Sequence, residues 1–365
     1  MYNVSVYSKR LHHPIFFLRT NDMNSRPGSK AHRATIVDVA EKAGVSTATV
    51  SRVINRTAPV TSETEAQVQA AITELNYRPQ SAAQVLASRK TSTIGLLFPE
   101  ISGNFVSPLL RGIEAEARES GFALLIYATQ GRDAGDTIRP QPLGEHNTDG
   151  VVVFVDSLPE EELFRFNQIG FPVVLVYRSS PGCSSIPCVT IENKRGARML
   201  VDHLIEVHGY RRVAFLAGQE GHEDSHWREI GYRESLAAHN IPFDPKLVSV
   251  GGFDKERAYA ATESWLKDGL AFDAVFAAAD DSAIGVLAAL NDAGKRVPED
   301  IAVVGFDDIA LSQHLTPPLT TVRAPTEQVG REAVRQLVRL IRGDPAESSV
   351  LLPTELVIRQ SCGCA

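Results

Sequence analysis

His222-Glu-Asp-Ser-His226 spells the His-Glu-x-x-His pattern of zinc hydrolases. That chemistry needs both histidines on one helical face, a third ligand, and the glutamate beside a metal-bound water. Here the pattern follows the apparent strand end Leu216-Ala-Gly218 and begins after Gly221, where a loop is expected. Lining a small-molecule cleft, or an ordinary surface loop, suits His222, Glu223 and His226 better than hydrolysis does. The four cysteines fall as Cys183, Cys188 and Cys362-Gly-Cys364. Spacings of four and one residues are not the two-residue knuckles of zinc sites, so they read as independent reduced thiols. No Walker-type phosphate loop and no nucleophile elbow occurs. The chain does not read as an enzyme, and neither metal nor cofactor is expected.

A second set of residues suits a polyanion. Thr47, Ala48 and Thr49 open a segment in which Ser51, Arg52 and Asn55 recur on one outward face. Small residues let a helix N-terminus approach base edges and phosphates, and arginine can pair bidentately with guanine. The charge distribution agrees. The net charge is −7, yet residues 1–90 hold 12 Lys and Arg against 6 Asp and Glu. A basic head on an acidic body suggests that the head alone meets a polyanion.

The elements that must carry these residues follow from periodicity. Residues 1–33 are polar and basic without a period and read as a disordered extension, with Met23 as an alternative start. Thr35 caps a helix carrying Ile36, Val39, Ala40 and Ala43, which Gly44 stops. Ser46 caps a second with Val50, Val53 and Ile54 as its stripe, and Ser62 with Glu65 forms a capping box for a third, running to Asn76. Two short capped helices around a glycine turn are the helix-turn-helix signature, a three-helix bundle with solvated polar residues being the bland alternative. Ser81–Ser88 has the composition of one or two helical turns, too short to stand alone.

From Thr93 the regime changes. Apolar runs of strand length recur at Ile94–Phe98, Ala123–Tyr127, Val151–Val155, Val173–Tyr177, Val213–Ala217, Ala274–Ala278 and Ile301–Val304. Helical stretches at Pro108–Ser120, Lys194–His208, Arg228–His239, Arg257–Asp268 and Ser282–Ala293 separate them. Continuous apolar strands alternating with helices mean a doubly wound parallel α/β fold. There are too many units for one small sheet, so two lobes with a cleft are expected, ligands binding at the strands' carboxyl ends. No apolar run approaches the roughly 20 residues of a membrane span. Few cysteines fit a reducing, cytoplasmic setting.

The run Thr35-Ile-Val-Asp-Val-Ala-Glu-Lys-Ala-Gly-Val-Ser-Thr-Ala-Thr-Val-Ser-Arg-Val-Ile-Asn55 closely resembles the head of the lactose/galactose repressor (LacI/GalR) family. Leu75-Asn-Tyr-Arg-Pro79 and Ala83-Gln-Val-Leu-Ala87 resemble its third helix and hinge. Phe98-Pro-Glu-Ile-Ser, Arg111-Gly-Ile-Glu114, Val304-Gly-Phe-Asp-Asp-Ile309 and Leu315-Thr-Pro-Pro-Leu-Thr-Thr-Val-Arg323 extend the resemblance to residues 35–362.

The resemblance implies a helix-turn-helix DNA-binding domain at 34–80, a hinge helix at 81–90, and a two-lobed periplasmic-binding-protein-like effector and dimerisation domain at 91–365. It puts Thr47, Ala48 and Arg52 at base-reading positions, and Ser46, Thr49, Ser51 and Asn55 where phosphates are met or the helix steadied. Leu86 matches a hinge leucine that wedges into the minor groove. In the body it marks Phe105, Tyr177, Arg228, Phe253 and Asp307 as effector-binding. It assigns residues near 93–190 and 320–343 to one lobe, and those near 191–310 and 350–360 to the other, joined by three crossovers. The partners it implies are a pseudo-palindromic double-stranded DNA operator, a second copy in a homodimer, and a small-molecule effector, a sugar foremost. The chain departs from the family at Gly103-Asn104-Phe105, where relatives have Asn-Pro-Phe, and at Ala279, where they often have Asn. A nucleobase or phosphorylated metabolite therefore stays open as effector. The rival of another class is a transport-linked solute-binding receptor of the same body fold, which the DNA head argues against.

Overall fold

The computed structural model of the chain describes residues 34–55, 58–77, 90–101, 103–129, 142–155, 157–181 and 186–365. The extension 1–33, Leu86 with nearly all of the expected hinge, and Cys183 lie outside the described residues. The chain divides into two compact units at residues 83 and 84.

The first unit holds three helices, α1 (Ile36–Ala43), α2 (Thr47–Asn55) and α3 (Ser62–Glu74). Thr35 and Asp38 cap α1 reciprocally: the Thr35 N–H donates to the Asp38 carboxylate at 2.7 Å, and the Asp38 N–H to Thr35 Oγ1 at 3.4 Å. Gly44 ends the helix at φ 66°, a conformation costly for other residues. The cap of α3 is Thr61 rather than Ser62. Thr61 Oγ1 accepts the Thr64 N–H at 3.3 Å, which makes Ser62 the first helical residue. The helix also stops two residues before the expected Asn76, itself at φ 46°. Val39, Ala40, Val50, Val53, Val68, Ala71 and Tyr77 make a closed small core.

The second unit is the expected α/β body. Strands β1 (Thr93–Phe98), β2 (Ala123–Ala128), β3 (Gly150–Phe154), β4 (Val173–Val176), β5 (Cys188–Ile191) and β11 (Ser349–Leu352) form one sheet, in the order β11-β5-β4-β3-β1-β2. The other holds β6 (Val213–Ala217), β7 (Val248–Val250), β8 (Ala274–Ala277), β9 (Ala302–Asp307), β10 (Thr320–Arg323) and β12 (Glu355–Val357), in the order β12-β10-β9-β8-β6-β7. Every pairing is parallel except β10 with β12. Helices α4 (Val106–Glu119), α5 (Glu160–Gln168), α6 (Asn193–His208), α7 (Glu223–Ala238), α8 (Lys255–Lys267), α9 (Asp280–Asp292) and α10 (Thr326–Arg342) alternate with the strands. Buried on both faces, β3, β4, β6 and β8 carry the continuous apolar runs that the sequence shows. None of the described helices is long and apolar enough to cross a membrane.

The chain passes between the sheets three times, after Ile191, Arg323 and Leu352. This corrects the lobe boundaries drawn from the sequence. Residues 320–343 are split: β10 pairs with β9 in the second sheet, while α10 returns to pack on α4 and the first sheet. Residues 350–360 are split too, since β11 pairs with β5 in the first sheet and β12 with β10 in the second. The strand before each crossing belongs to the sheet being left. A further difference lies at α7, which begins at Glu223, five residues ahead of the expected Arg228. Glu223 and Asp224 in its first turn complement the helix dipole, so the acidic pair extends the helix.

Helix pairs in both lobes meet backbone to backbone through glycine. A Cβ on Gly231 of α7 would stand 2.3 Å from the Lys194 carbonyl oxygen, and one on Gly112 of α4 2.0 Å from that of Glu327. Neither carbonyl can yield without moving its helix. Gly231→Ala and Gly112→Ala are each expected to destabilise the body by about 1–3 kcal/mol through overpacking. A denaturant titration followed by circular dichroism measures this, and unchanged midpoints would show that the helices separate freely.

Candidate functional site

In the first unit, α2 presents one face to its core and the other to solvent. Val50 and Val53 are buried, whereas Thr47, Ala48, Arg52 and Asn55 are exposed. Ser46 Oγ accepts the Thr49 N–H at 3.1 Å and lies 2.9 Å from Thr49 Oγ1, so this pair sets where the helix begins. Asn55 Nδ2 donates to Ser51 Oγ at 3.2 Å, one turn back. Arg52, one turn beyond Ala48 on the exposed face, makes no ion pair within the described residues of this unit.

In the second unit, a cavity of about 400 Å³ opens between the sheets at the carboxyl ends of their strands. Phe105, Tyr177, Arg228, Phe253 and Asp307, drawn from five separate segments, all line it. The two lobes supply different chemistry. From the first come stacked rings: Phe98 and Phe154 at 4.2 Å between centroids, with Phe105 and Tyr177 packed on Phe154 at 5.7 and 5.6 Å. From the second come charges. Arg228 is 4% exposed. Its Nε donates to Asn193 Oδ1 at 2.8 Å, its Nη1 to the Ala278 carbonyl at 2.5 Å, and its Nη2 lies 3.4 Å from Asp307 Oδ1. The guanidinium stacks 3.7 Å above the Phe306 ring.

Asp307 is the last residue of β9, and a buried acid holds that strand end. Asp280 Oδ2 accepts from the Ile309 N–H at 3.0 Å and Ser312 Oγ at 2.6 Å, while its Oδ1 accepts from Thr321 Oγ1 at 2.6 Å. Asp308 is clamped in turn by Arg359 at 2.6 Å and Arg323 at 2.7 Å. The lining is also where the backbone is forced. Val155, Tyr177, Phe253 and Asp307 adopt φ of 43°, 56°, 59° and 110°, which β-branched and aromatic residues rarely do. Such conformations cost on the order of 1–3 kcal/mol each and concentrate at ligand sites.

Two carboxylates flank the one guanidinium. Burial raises Asp307 to about 8, Arg228 opposing the rise, and raises Asp224 to about 6 against Arg228 and the Asn193 amide. Burial on the floor of the cleft thus favours the protonated form of a carboxyl there. Burial likewise keeps Tyr177 un-ionised, well above the usual phenol range.

Sequence reasoning missed part of this lining. Phe98, Phe154, Asp224 and Asp281 also face the cavity, and Gln219 and Glu220 border it. Their shared signal is position, at the end of a strand, in the short segment after one, or in the first turn of the helix that follows. Two residue pairs, each with two bonds, link the lobes: the Asn104 N–H and Nδ2 donate to the Asp281 carboxylate at 3.2 and 2.5 Å, and the Ser179 N–H and Oγ to that of Glu223 at 2.7 and 2.5 Å. Asn104, one of the departures from the family pattern, thus ties one lobe to the other, while Ala279 lines the cavity without a polar group.

The His-Glu-x-x-His pattern does not assemble a metal centre. It spans the N-cap and first turn of α7 rather than a loop. His222 lines the cavity against Phe253, whereas His226 is exposed, and Glu223 accepts from Ser179 and from Trp227 Nε1. Among the described residues, four others do gather as candidate ligands: His203, His208, Cys362 and Cys364.

Known proteins share this architecture. A profile described as "Bacterial regulatory proteins, lacI family" matches residues 35–80, and one for a "Periplasmic binding protein-like domain" matches residues 201–362. The ribose operon repressor of Halalkalibacterium halodurans is 34% identical, covering 90% of this chain and 96% of its own length. The HTH-type transcriptional regulator CelR of Thermobifida fusca is 36% identical, over 91% of this chain and 99% of its own. Among solved structures, the lac repressor dimer bound to operator and the anti-inducer ONPF superposes with a TM-score of 0.78 at 27% identity, covering 90% of this chain and 99% of that one. The chain belongs to the LacI family of bacterial regulatory proteins, and is a DNA-binding transcriptional regulator rather than an enzyme.

Proposed function

We propose that the protein is a repressor that binds a pseudo-palindromic operator as a homodimer in the cytoplasm, under the control of a neutral, polyhydroxylated metabolite, most simply a sugar, in the body cleft. Residues 34–80 form the DNA-binding domain, 81–90 the hinge, and 91–365 the effector and dimerisation domain. The observation that carries the reading is the single cavity in which Arg228 and Asp307 face an aromatic wall. The Arg228 guanidinium can give a hydroxyl a charge-assisted bond, the Asp307 carboxyl can hydrogen-bond its neighbour, and ring faces cover the C–H surfaces of a sugar. Among the described residues, five acids, Glu100, Glu220, Asp224, Asp281 and Asp307, line the cavity against one arginine. That excess disfavours a phosphorylated effector and argues for an uncharged one. The relatives point the same way, one being named a ribose operon repressor and CelR being solved with cellobiose.

On the DNA side, Thr47 and Ala48 offer few hydrogen bonds, so Arg52 carries most direct base reading, with Ser46, Thr49, Ser51 and Asn55 at the phosphates. Leu86 is assigned to the minor groove at the operator centre. Two half-sites require two heads. The edge strand β2, which leaves Leu125 and Ile126 43% and 41% exposed, offers the body a face for a second copy.

Arg52→Ala should weaken binding to the cognate operator by about 1–3 kcal/mol per half-site and relax discrimination at one base pair. Competition binding against random DNA reads this, since equal loss on both would make Arg52 a backbone contact only. Leu86→Ala should lose operator affinity and bending while sugar binding survives.

In the cleft, Asp307→Asn should abolish the operator response to sugar while ligand-free operator binding stays within about twofold, a change well under the 1.4 kcal/mol of a tenfold effect. Calorimetry against a panel of neutral and phosphorylated sugars, run beside operator titrations, decides it. A full response in the variant would move the effector site elsewhere. The same acid sets a pH dependence. Because burial raises Asp307 to about 8, its contribution to stability is full below about pH 4, near the unfolded value, and is lost as pH rises toward 8. The ligand-free protein should lose stability over that window more steeply than Asp307→Asn does. Parallel slopes in denaturant titrations would mean that Asp307 is ionised throughout.

A further inference from the structure

The C-terminal segment meets the end of α6 at a place that the effector cleft does not reach. His203 and His208 lie five residues apart on α6, and Cys362-Gly363-Cys364 returns against them. One ligand atom from each of the four, two ring nitrogens and two sulfurs, all fall within 4.8 Å of one another. Cys364 Sγ stands 3.7 Å from His203 Nε2 and 3.4 Å from His208 Nε2. A tetrahedral zinc ion with bonds of about 2.3 Å to sulfur and 2.0–2.1 Å to nitrogen sets S···N edges of about 3.5 Å. The observed separations bracket that edge.

The surroundings are those of a built site. His203 and Cys362 are buried, and His208 and Cys364 are half-buried, so an ion has a way in. Thr320 Oγ1 donates to Cys362 Sγ at 3.1 Å, supporting a sulfur from the second sheet. Tyr210 stacks on the His208 ring at 5.4 Å and 18°, and its hydroxyl donates to the Cys362 carbonyl at 3.2 Å. Outer contacts of this kind orient ligands in known metal sites. Gly363 makes the turn at φ 107°, and a Cβ there would stand 3.2 Å from the His208 ring. Only glycine brings both sulfurs to one point without strain.

We propose that His203, His208, Cys362 and Cys364 form a structural site for one zinc ion. Both thiols lose their protons to solvent on binding, so two thiolates balance the dication and two neutral imidazoles complete the tetrahedron. With four protein ligands no position is open for a substrate. The ion would clip the end of α6 to the end of the chain, joining residues 156 apart in sequence. Long closures of this sort remove the most entropy from the unfolded chain. The proposal is independent of the effector reading.

The test uses the full chain, purified without chelator, loaded with zinc and dialysed. Elemental analysis should find one zinc per chain, and zinc should raise the melting temperature of the metal-free protein. Cobalt(II) in its place should show thiolate charge transfer and tetrahedral d–d bands. Cys364→Ser and His208→Gln, both at half-buried positions, should each weaken zinc by at least ~100-fold in chelator competition, the upper end of what losing an outer-shell partner costs. His226→Gln should leave affinity unchanged. The proposal falls if loaded wild type keeps no zinc above the dialysis buffer, or if the doubly substituted Cys364→Ser/His208→Gln protein keeps as much as wild type. It also falls if His226→Gln alone removes the ion, or if Cys362 and Cys364 form a disulfide with each other in the zinc-loaded protein.

Discussion

A guanidinium held out of water at the carboxyl ends of the interior strands β8 and β9 is the constraint on which the second lobe depends. Removing a cation from solvent costs several kcal/mol unless its donors are met. Arg228 meets that cost with partners from three elements: Asn193 at the start of α6, the Ala278 carbonyl after β8, and Asp307 at the end of β9. Those elements cannot shift independently without stranding a buried charge. The left-handed backbone at Asp307 follows, because the strand must turn sharply for its last side chain to reach inward. Asp280 then has its own task, holding the turn after β9 through Ile309, Ser312 and Thr321. The Arg228 network and the Asp280 bonds thus fix the polar wall of the pocket relative to the second sheet.

The same arrangement leaves acceptors in excess. Asp224 and Asp307 compete for one cation, and burial favours the protonated form of a carboxyl there. In the proposed reading, the hydroxyls of a sugar would donate to these carboxyls, whereas a phosphate would add acceptors to a surplus. Since one wall comes from each lobe, a ligand touching both favours whichever lobe arrangement brings the walls together. Its leverage is limited to its difference in affinity between arrangements. Asn104 to Asp281 and Ser179 to Glu223 link the lobes in the arrangement seen here.

Much of this was legible because local and global signals agree. Thr35 and Gly44 bound α1 as their chemistry requires, and the apolar runs from Ile94 onward are the strands of two doubly covered sheets. All five cleft residues inferred from the family pattern line one cavity. What escaped were short segments whose identity is set by pairing. Cys188–Ile191, Ser349–Leu352 and Glu355–Val357 are three or four residues long, with no period to read, and only their neighbours make them strands. The lobe boundaries went wrong at β10 and at Ser349–Leu352, which pair with the opposite sheets from those expected. The start of α7 escaped because Gly221 and the polar run after it look like a loop, while the acidic first turn belongs to the helix.

The two histidine patterns show where sequence spacing informs on metal chemistry and where it does not. His222 and His226 have the familiar spacing, but the first is an N-cap facing the cleft and the second is exposed, so regular helix geometry does not carry them to one point. His203 and His208 are five apart, a spacing at which helix neighbours do not stack. Their rings nevertheless lie 5.1 Å apart, because His208 sits at the helix end before Gly209 turns left-handed at φ 71°. The two cysteines arrive from the far end of the chain, held there by Ser361 bonding to β9 and β10 through the Val303 carbonyl and the Thr320 N–H. Spacing is silent when the ligands come from segments far apart in the chain, as 203–208 and 362–364 do here. Where sheet pairing supplies them, the donor set exists only in the folded chain.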